Sequence, residues 1–323
     1  MRAIYNRTMT DALRVDLVGV GLNATDTLIQ LDTYPVAGSK VEYQAQSVLP
    51  GGQAATTVVA CAQWGMNARY VGKLGDDRAA AIHRHAFAQA GVDARLIAVP
   101  GGASPQSLIL VDGSGERTVM CRRDERLILQ PSDLMREWIE SARVLHLDGY
   151  DTAAAAQAAR WARAASIPVV ADLDEVYPGV ESLIENIDYL IVSRDFPSRL
   201  MREPDLETAL RKMQSRYGCI LTAATLGHDG VLAWDGGRFH RRQAYRVTVA
   251  DTTGAGDIFH AGFIYGLYRG WALDRQLDFA CAAAALNCMS AGARGGIQSV
   301  EAIECLMNTG IRYNSAPDSL SGE

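Results

Sequence analysis

No run of apolar residues in this chain is long enough to cross a bilayer, and Met1 to Ala12 lack the apolar core of a secretory leader. Membrane and secreted classes drop out, and a cytoplasmic location is expected. Cysteine is sparse and scattered. The six residues Cys61, Cys121, Cys219, Cys281, Cys288 and Cys305 form no C-x-x-C pair, which excludes a zinc framework and a disulfide scaffold. Positive charge is not clustered either. The densest stretch, Arg238-Phe239-His240-Arg241-Arg242, is too short for a nucleic-acid footprint, and 31 Lys and Arg against 37 Asp and Glu leave a formal net charge of −6. Nucleic acid is therefore not an expected partner. There is no internal repeat and no interdomain linker, so the 323 residues have enough length to bury a large core.

What is present is alternation. Short apolar strands at Arg14–Val20, Ala68–Val71, Val144–Leu147, Val169–Leu173, Tyr189–Val192 and Ile220–Ala223 alternate with helical patterns. The helices read as Gln53–Trp64, Asp76–Ala90, Thr152–Ala165, Val180–Asn186 and Leu206–Tyr217, with further ones at Ile258–Tyr268, Leu277–Met289 and Val300–Asn308. This pattern predicts an α/β fold: a doubly wound, mostly parallel sheet with helices on both faces, binding its ligands beyond the C-terminal strand ends. Extended pieces that do not fit the alternation, at about 28–49 and 95–123, predict a small discontinuous β lid whose Gly113-Ser114-Gly115 turn joins a hairpin. An exposed lid edge invites a second copy of the chain, so a homodimer through the lid is expected. Met1 to Ala12 and the Ser/Asp/Gly/Pro-rich end, 312–323, read as flexible tails around a single domain over 13–311.

Two glycine-rich strings compete for the role of phosphate site. Gly19-Val20-Gly21-Leu22-Asn23-Ala24 matches the dinucleotide fingerprint G-x-G-x-x-A, yet Thr25 to Leu31 alternates like a strand where that motif requires a helix. Asp251-Thr252-Thr253-Gly254-Ala255-Gly256-Asp257 meets its own condition, because it opens the apolar segment Ile258–Tyr268. Small residues at a helix start leave backbone N–H groups free to meet a phosphoryl group. Asp257, in the first turn, is held ionised by the helix dipole and is able to take a proton from a substrate hydroxyl.

The whole string resembles the C-terminal signature D-T-x-G-A-G-D of the ribokinase-like, or PfkB, carbohydrate kinases. Gly51-Gly52 before a small-residue helix, Gly21 with Asp26, Pro35 and Gly38, and Gly72 to Asp76 are similar to other turns of that family. The resemblance runs from about residue 14 to 308. It implies an enzyme that phosphorylates a hydroxyl of a sugar or sugar-like compound with ATP and Mg²⁺, Asp257 being the base and Gly254, Ala255 and Gly256 the anion hole. Asp26, Gly51, Gly52, Gln53 and Thr56 would bind substrate; Ser193, Thr225, Gly227 and Thr253 would meet the nucleotide. Asp251, Thr253, Ser290, Ala293, Gly295 and Ser299 would hold a monovalent cation such as K⁺.

Departures concern substrate more than reaction. Thr56 stands where the family usually has Asn, and the N-x-x-E motif is replaced by Ser193 to Phe196, with Asp195 a candidate for the acidic role. These features are similar to ketohexokinase-like members and favour a ketose or a sugar acid. A nucleoside kinase of the same fold, and a sugar- or nucleotide-binding regulator without catalysis, are the alternatives. Asp172 and Asp174 either face the ligands or cap the following segment. Arg122 and Arg123 either meet an anionic substituent or remain solvated edge charges. His146 reads as a satisfied core histidine and His260 as a packing residue.

Overall fold

The computed structural model describes residues 14–113 and 117–313. The expected tails therefore lie almost wholly outside the described residues, as does the tip of the 113–115 turn.

β1 (Val15–Val20) and β4 (Ala68–Leu74) lie side by side near one edge of a nine-stranded sheet. β8 (Ala142–Asp148), β9 (Val169–Leu173), β10 (Tyr189–Ser193) and β11 (Leu221–Thr225) extend it on one side, all parallel. β12 (Val231–Trp234) and β13 (Phe239–Arg242) close that side as an antiparallel hairpin. Alternate residues feed two cores. On β10, Ile191 enters one apolar cluster while Leu190 and Val192 enter the other, and each buried side chain of this size contributes about 2 kcal/mol.

One core lies under α1 (Gln53–Gln63), α2 (Arg78–Gln89), α8 (Ala255–Tyr268), α9 (Leu273–Asn287) and α10 (Val300–Thr309). The other lies under α4 (Thr152–Ala164), α5 (Val180–Ile184) and α7 (Leu206–Tyr217). Helices thus cover both faces, as the alternation predicts. Local chemistry sets several boundaries: Asp77 caps α2 through Ala80 N (2.9 Å), Asp205 caps α7 through Thr208 N (2.8 Å), and Gly218 ends α7 at φ 73°. One uncapped start is misplaced by the periodicity. α9 begins at Leu273 after an uncapped Ala272, four residues before the expected Leu277. The short helices α3 (Arg136–Glu140) and α6 (Phe196–Met201) carry too few turns to show a period.

The second sheet has the order β3-β2-β6-β7, formed by β2 (Ala24–Gln30), β3 (Ala45–Gly51), β6 (Gln106–Val111) and β7 (Arg117–Arg122). One part of the expected lid belongs elsewhere. β5 (Asp93–Ala98) pairs in parallel with β4 at the edge of the large sheet, because it completes a β-α-β unit through α2. Nor is 38–44 a strand; β3 starts at Ala45. A strand, β2, follows Gly21 where a dinucleotide fingerprint would need a helix.

Candidate active site

The site forms where the two sheets meet, beyond the C-terminal tips of β1, β8, β9 and β10. Three backbone approaches build its substrate side. Gly52 caps α1 at φ 90°, where a Cβ would lie 2.5 Å from Asn23 Cα and 2.6 Å from Leu22 O. A Cβ on Gly51 would lie 2.2 Å from the Asp26 carboxylate, and one on Gly21 would lie 2.2 Å from that of Asp148. Glycine at all three positions lets two carboxylates press against the chain. Asp26 is buried beside this turn, and burial raises its pKa to about 6, with Ser107 on β6 and Arg294 opposing.

Asp148 ends β8 fully buried and accepts from Leu22 N (2.7 Å), Ala54 N (3.2 Å) and Tyr150 N (3.1 Å). It ties β1, the start of α1 and β8 into one corner, and burial lifts its pKa to about 7. Tyr70 completes the corner, donating to Gly21 O (2.6 Å) and accepting from Asn23 Nδ2 (2.7 Å). Sequence reasoning passed over Asp148 because it falls one residue beyond the apolar run that marks its strand.

The phosphoryl side is the start of α8. Gly254 caps the helix at φ 75°, so Asp257 falls in the first turn as expected. Thr57 Oγ1 on α1 donates to Asp257 O (2.9 Å), locking the two helices together. Burial pushes the Asp257 carboxyl well above the ordinary range, and Asp172 at the end of β9 pushes the same way. Asp172 is buried 3.4 Å from His260 Nδ1, whereas Asp174 is exposed and accepts from the Tyr177 hydroxyl (3.3 Å). His260 is neutral, its pKa lowered to about 4 by burial, with Nδ1 2.8 Å from Gly256 O. His146 departs from expectation. It is fully buried, but neither ring nitrogen has a hydrogen-bond partner, and burial holds it neutral.

Of the three expected anion-hole residues, Ala255 turns its N–H back onto Thr252 O (3.2 Å). Gly256 is exposed, and a Cβ there would meet nothing within 4 Å. Open space also fronts Gly227 at φ 61°. Both glycines line a largely apolar cleft with Thr225, Tyr245, Phe259 and Tyr313. A flat aromatic base with a phosphate tail suits that combination of apolar walls and bare backbone. Ser193 sits at the tip of β10 with its hydroxyl on Asp174 O (3.1 Å), and Asp195 is exposed at the start of α6.

The loop 290–296 holds the motif from behind. Gly292 N donates to Asp251 Oδ2 (2.8 Å), while Asp251 Oδ1 accepts from Thr253 N (2.9 Å) and Thr253 Oγ1 (2.7 Å). Asn287, buried at the end of α9, donates to Thr253 O (3.3 Å) and Ala293 O (3.2 Å) and accepts from Gly296 N (3.2 Å). Ser299 Oγ accepts from Ala302 N (3.3 Å) and so caps α10. Thr56 is fully buried with its hydroxyl accepting from Arg294 Nε (3.1 Å), and Arg294 Nη2 donates to Gly51 O (2.7 Å). Asn287 and Arg294 were both missed, although each is a lone polar residue among small ones.

A model of the pfkB family of carbohydrate kinases matches residues 21–299, nearly all of the fold just described. The chain belongs to that family. This carbohydrate kinase is 28% identical over 272 residues to the ATP-dependent ribose-1-phosphate kinase of Halopiger xanaduensis, covering 83% of its own chain and 90% of the relative. It is 24% identical over 323 residues to the 5-dehydro-2-deoxygluconokinase of Bacillus subtilis, covering 93% and 98%. Its fold matches that of the Arabidopsis thaliana ribokinase solved with ribose and ATP, with a TM-score of 0.79 at 23% identity over 92% and 99% of the two chains. No helix among the described residues is long and apolar enough to cross a membrane.

The small sheet connects to the main body at its far end as well. Arg123, just after β7, pairs with Asp151 (2.9 Å) and lies over the Tyr150 ring at 4.0 Å. It is thus a partnered residue rather than a solvated edge charge.

Proposed function

We propose that this kinase moves the γ-phosphoryl group of ATP onto a hydroxyl of a ketose or a sugar acid. Asp257 takes the hydroxyl proton, and the backbone N–H groups of Gly254 and Gly256 meet the charge that develops on the phosphoryl oxygens, the Ala255 N–H being turned onto Thr252 O. The observation that carries this reading is the open space in front of Gly256, which lines the apolar cleft one residue before Asp257 in the first turn of α8. A hydroxyl seated by Asp26 and the Gly51–Gly52 turn, with Gln53 and Thr56 behind it, would face Asp257 across that gap.

ATP lies along Thr225 and Gly227, with Ser193 and Thr253 near its phosphates. Among the described residues no group of three His, Cys, Asp or Glu is placed to hold a metal, which fits Mg²⁺ arriving on the nucleotide's phosphates. When bound it neutralises phosphate charge. We assign a K⁺ site to Asp251, Thr253, Ser290, Ala293, Gly295 and Ser299, a hard oxygen donor set in segments that the Asp251–Gly292 bond already joins.

The substrate class rests on the relatives, whose named activities span ribose 1-phosphate and the keto sugar acid 5-dehydro-2-deoxygluconate. ADP release on a panel of ketoses, sugar acids, aldoses and nucleosides, with Mg²⁺ and with or without K⁺, tests it. Preference for a nucleoside would overturn the substrate class. Asp257→Asn is expected to keep its fold and ATP affinity while losing most turnover, and near-normal turnover would remove Asp257 from the role of base.

A further inference from the structure

The carboxyl of Asp257 stands among other carboxyl groups. Besides Asp172 on β9, Asp148 on β8 and Asp26 on β2 raise the cost of ionising it, and the histidines beneath, His260 on α8 and His146 on β8, are neutral. The opposing charge comes from Arg294, on the loop after α9. Its guanidinium does not hang free. Nη2 is fixed to Gly51 O (2.7 Å), Nε to Thr56 Oγ1 (3.1 Å), and Cζ lies 5.7 Å from the centre of the Phe87 ring on α2. Nη1 is buried without a partner, so the side chain remains desolvated and only partly satisfied. Burial brings its pKa down to about 10, which still leaves it charged at neutral pH.

A guanidinium is costly to bury unless its charge does something. Here the same side chain grips the backbone of the Gly51–Gly52 turn, and the charges of Asp257 and Asp26 favour its protonated form. Thr56 explains how it stays there: a short β-branched hydroxyl accepts from Nε at the first turn of α1, leaving room for the guanidinium itself.

We propose that Arg294 is a positioning residue for phosphoryl transfer, fixing the Gly51–Gly52 turn against the base and supplying the positive charge that offsets the carboxylates around it. The assignment rests on Asp257 being the base, and extends that reading to a residue outside the glycine motif. It also gives the exchange at position 56 a reason: Thr56 serves the arginine rather than reaching for a sugar hydroxyl.

The test reads Asp257 directly and needs no substrate. The full-length protein carrying ¹³C-carboxyl aspartate is titrated by NMR, with the Asp257 signal assigned by its loss in Asp257→Asn. In Arg294→Gln the Asp257 midpoint is expected to rise by about one pH unit or more, the scale on which a nearby opposite charge acts. Arg294→Lys, which keeps the charge, is expected to restore most of the shift. A folded Arg294→Gln protein whose Asp257 midpoint is unmoved would overturn the proposal. Should that variant fail to fold, Arg294→Met, which keeps the length of the side chain and removes its charge, takes its place; a raised midpoint there supports the proposal and an unmoved one overturns it. Because the readout is a titration, active Asp257→Asn would sink the base assignment without touching this result, and an unmoved midpoint would sink Arg294 without touching the base.

Discussion

Gly254 and Gly256 are two residues apart in one motif, yet alanine at the two positions is expected to fail in opposite ways. Gly254 sits at φ 75°, and an added Cβ would lie 2.5 Å from Ala293 O and 2.6 Å from Ala293 Cα. The left-handed backbone costs an alanine about 1–2 kcal/mol, and pressing a methyl group into packed backbone costs about 1–3 kcal/mol more. Gly254→Ala should therefore lose about 2–5 kcal/mol of stability, a fall in Tm of roughly 3–8 °C for a domain of this size. Gly256 has neither problem, since it lies in α8 with nothing within 4 Å of its would-be Cβ. Alanine there gains up to about 1 kcal/mol of helix propensity. The open space is where the phosphoryl group is proposed to pass, and displacing it by the width of a methyl group should cost on the order of a hundredfold in kcat/KM. Differential scanning calorimetry and ADP release, run on both variants, separate the two effects. Full activity in Gly256→Ala would show that the space in front of it is not used by the transferring group. A Gly256→Ala protein that loses Tm as well as activity would show that glycine is required there by the backbone instead.

Two further outcomes follow from the site and the lid. Asp148 is a buried carboxyl whose folded pKa, about 7, lies above its unfolded value, so the folded state holds its proton more tightly and loses stability as pH rises from about 4 to about 7. Relative to wild type, Asp148→Asn should gain ground in urea unfolding across that window, and a constant difference would refute the assignment. On the small sheet, Val48 and Met120 lie in one cross-strand row and so on one face, exposed at 43% and 46%. A homodimer through this face predicts that Met120→Glu lowers the sedimenting mass to that of one chain, whereas an unchanged mass, or a wild-type monomer, would rule that interface out.

How much of this was readable in the residues depended on the kind of signal. The large sheet was legible because strands buried on both faces, such as Tyr-Leu-Ile-Val at 189–192, leave continuous apolar runs. The start of α8 was legible because a helix-capping glycine and a first-turn carboxylate are local chemistry. β5 was misassigned to the lid because a short edge strand and a lid strand have the same alternation, and only its pairing with β4 tells them apart. Asp148 and Asn287 eluded a linear reading for a related reason. Their work is to collect N–H and C=O groups from segments far apart in sequence, Leu22, Ala54 and Tyr150 in one case and Thr253, Ala293 and Gly296 in the other.

The loop 290–296 shows why chemistry and selectivity separate in this kinase. One of its faces is backbone: Gly292 N holds the Asp251 carboxylate, and the Ala293 main chain blocks any side chain at Gly254, so the turn at Gly254 is shaped by the loop's own main chain. Its other face is one side chain, Arg294, bound to Gly51 O and Thr56, while the missing Cβ of Gly292 admits Leu49 of β3. A change at 294 or 56 would thus reach the substrate turn and the lid strand while leaving the Asp251-to-Asp257 framework in place. Selectivity is then expected to vary through the pair 56 and 294, which must change together: Thr56→Asn alone puts a longer amide where Nε now donates, and should perturb Arg294 before it gains any contact with a sugar.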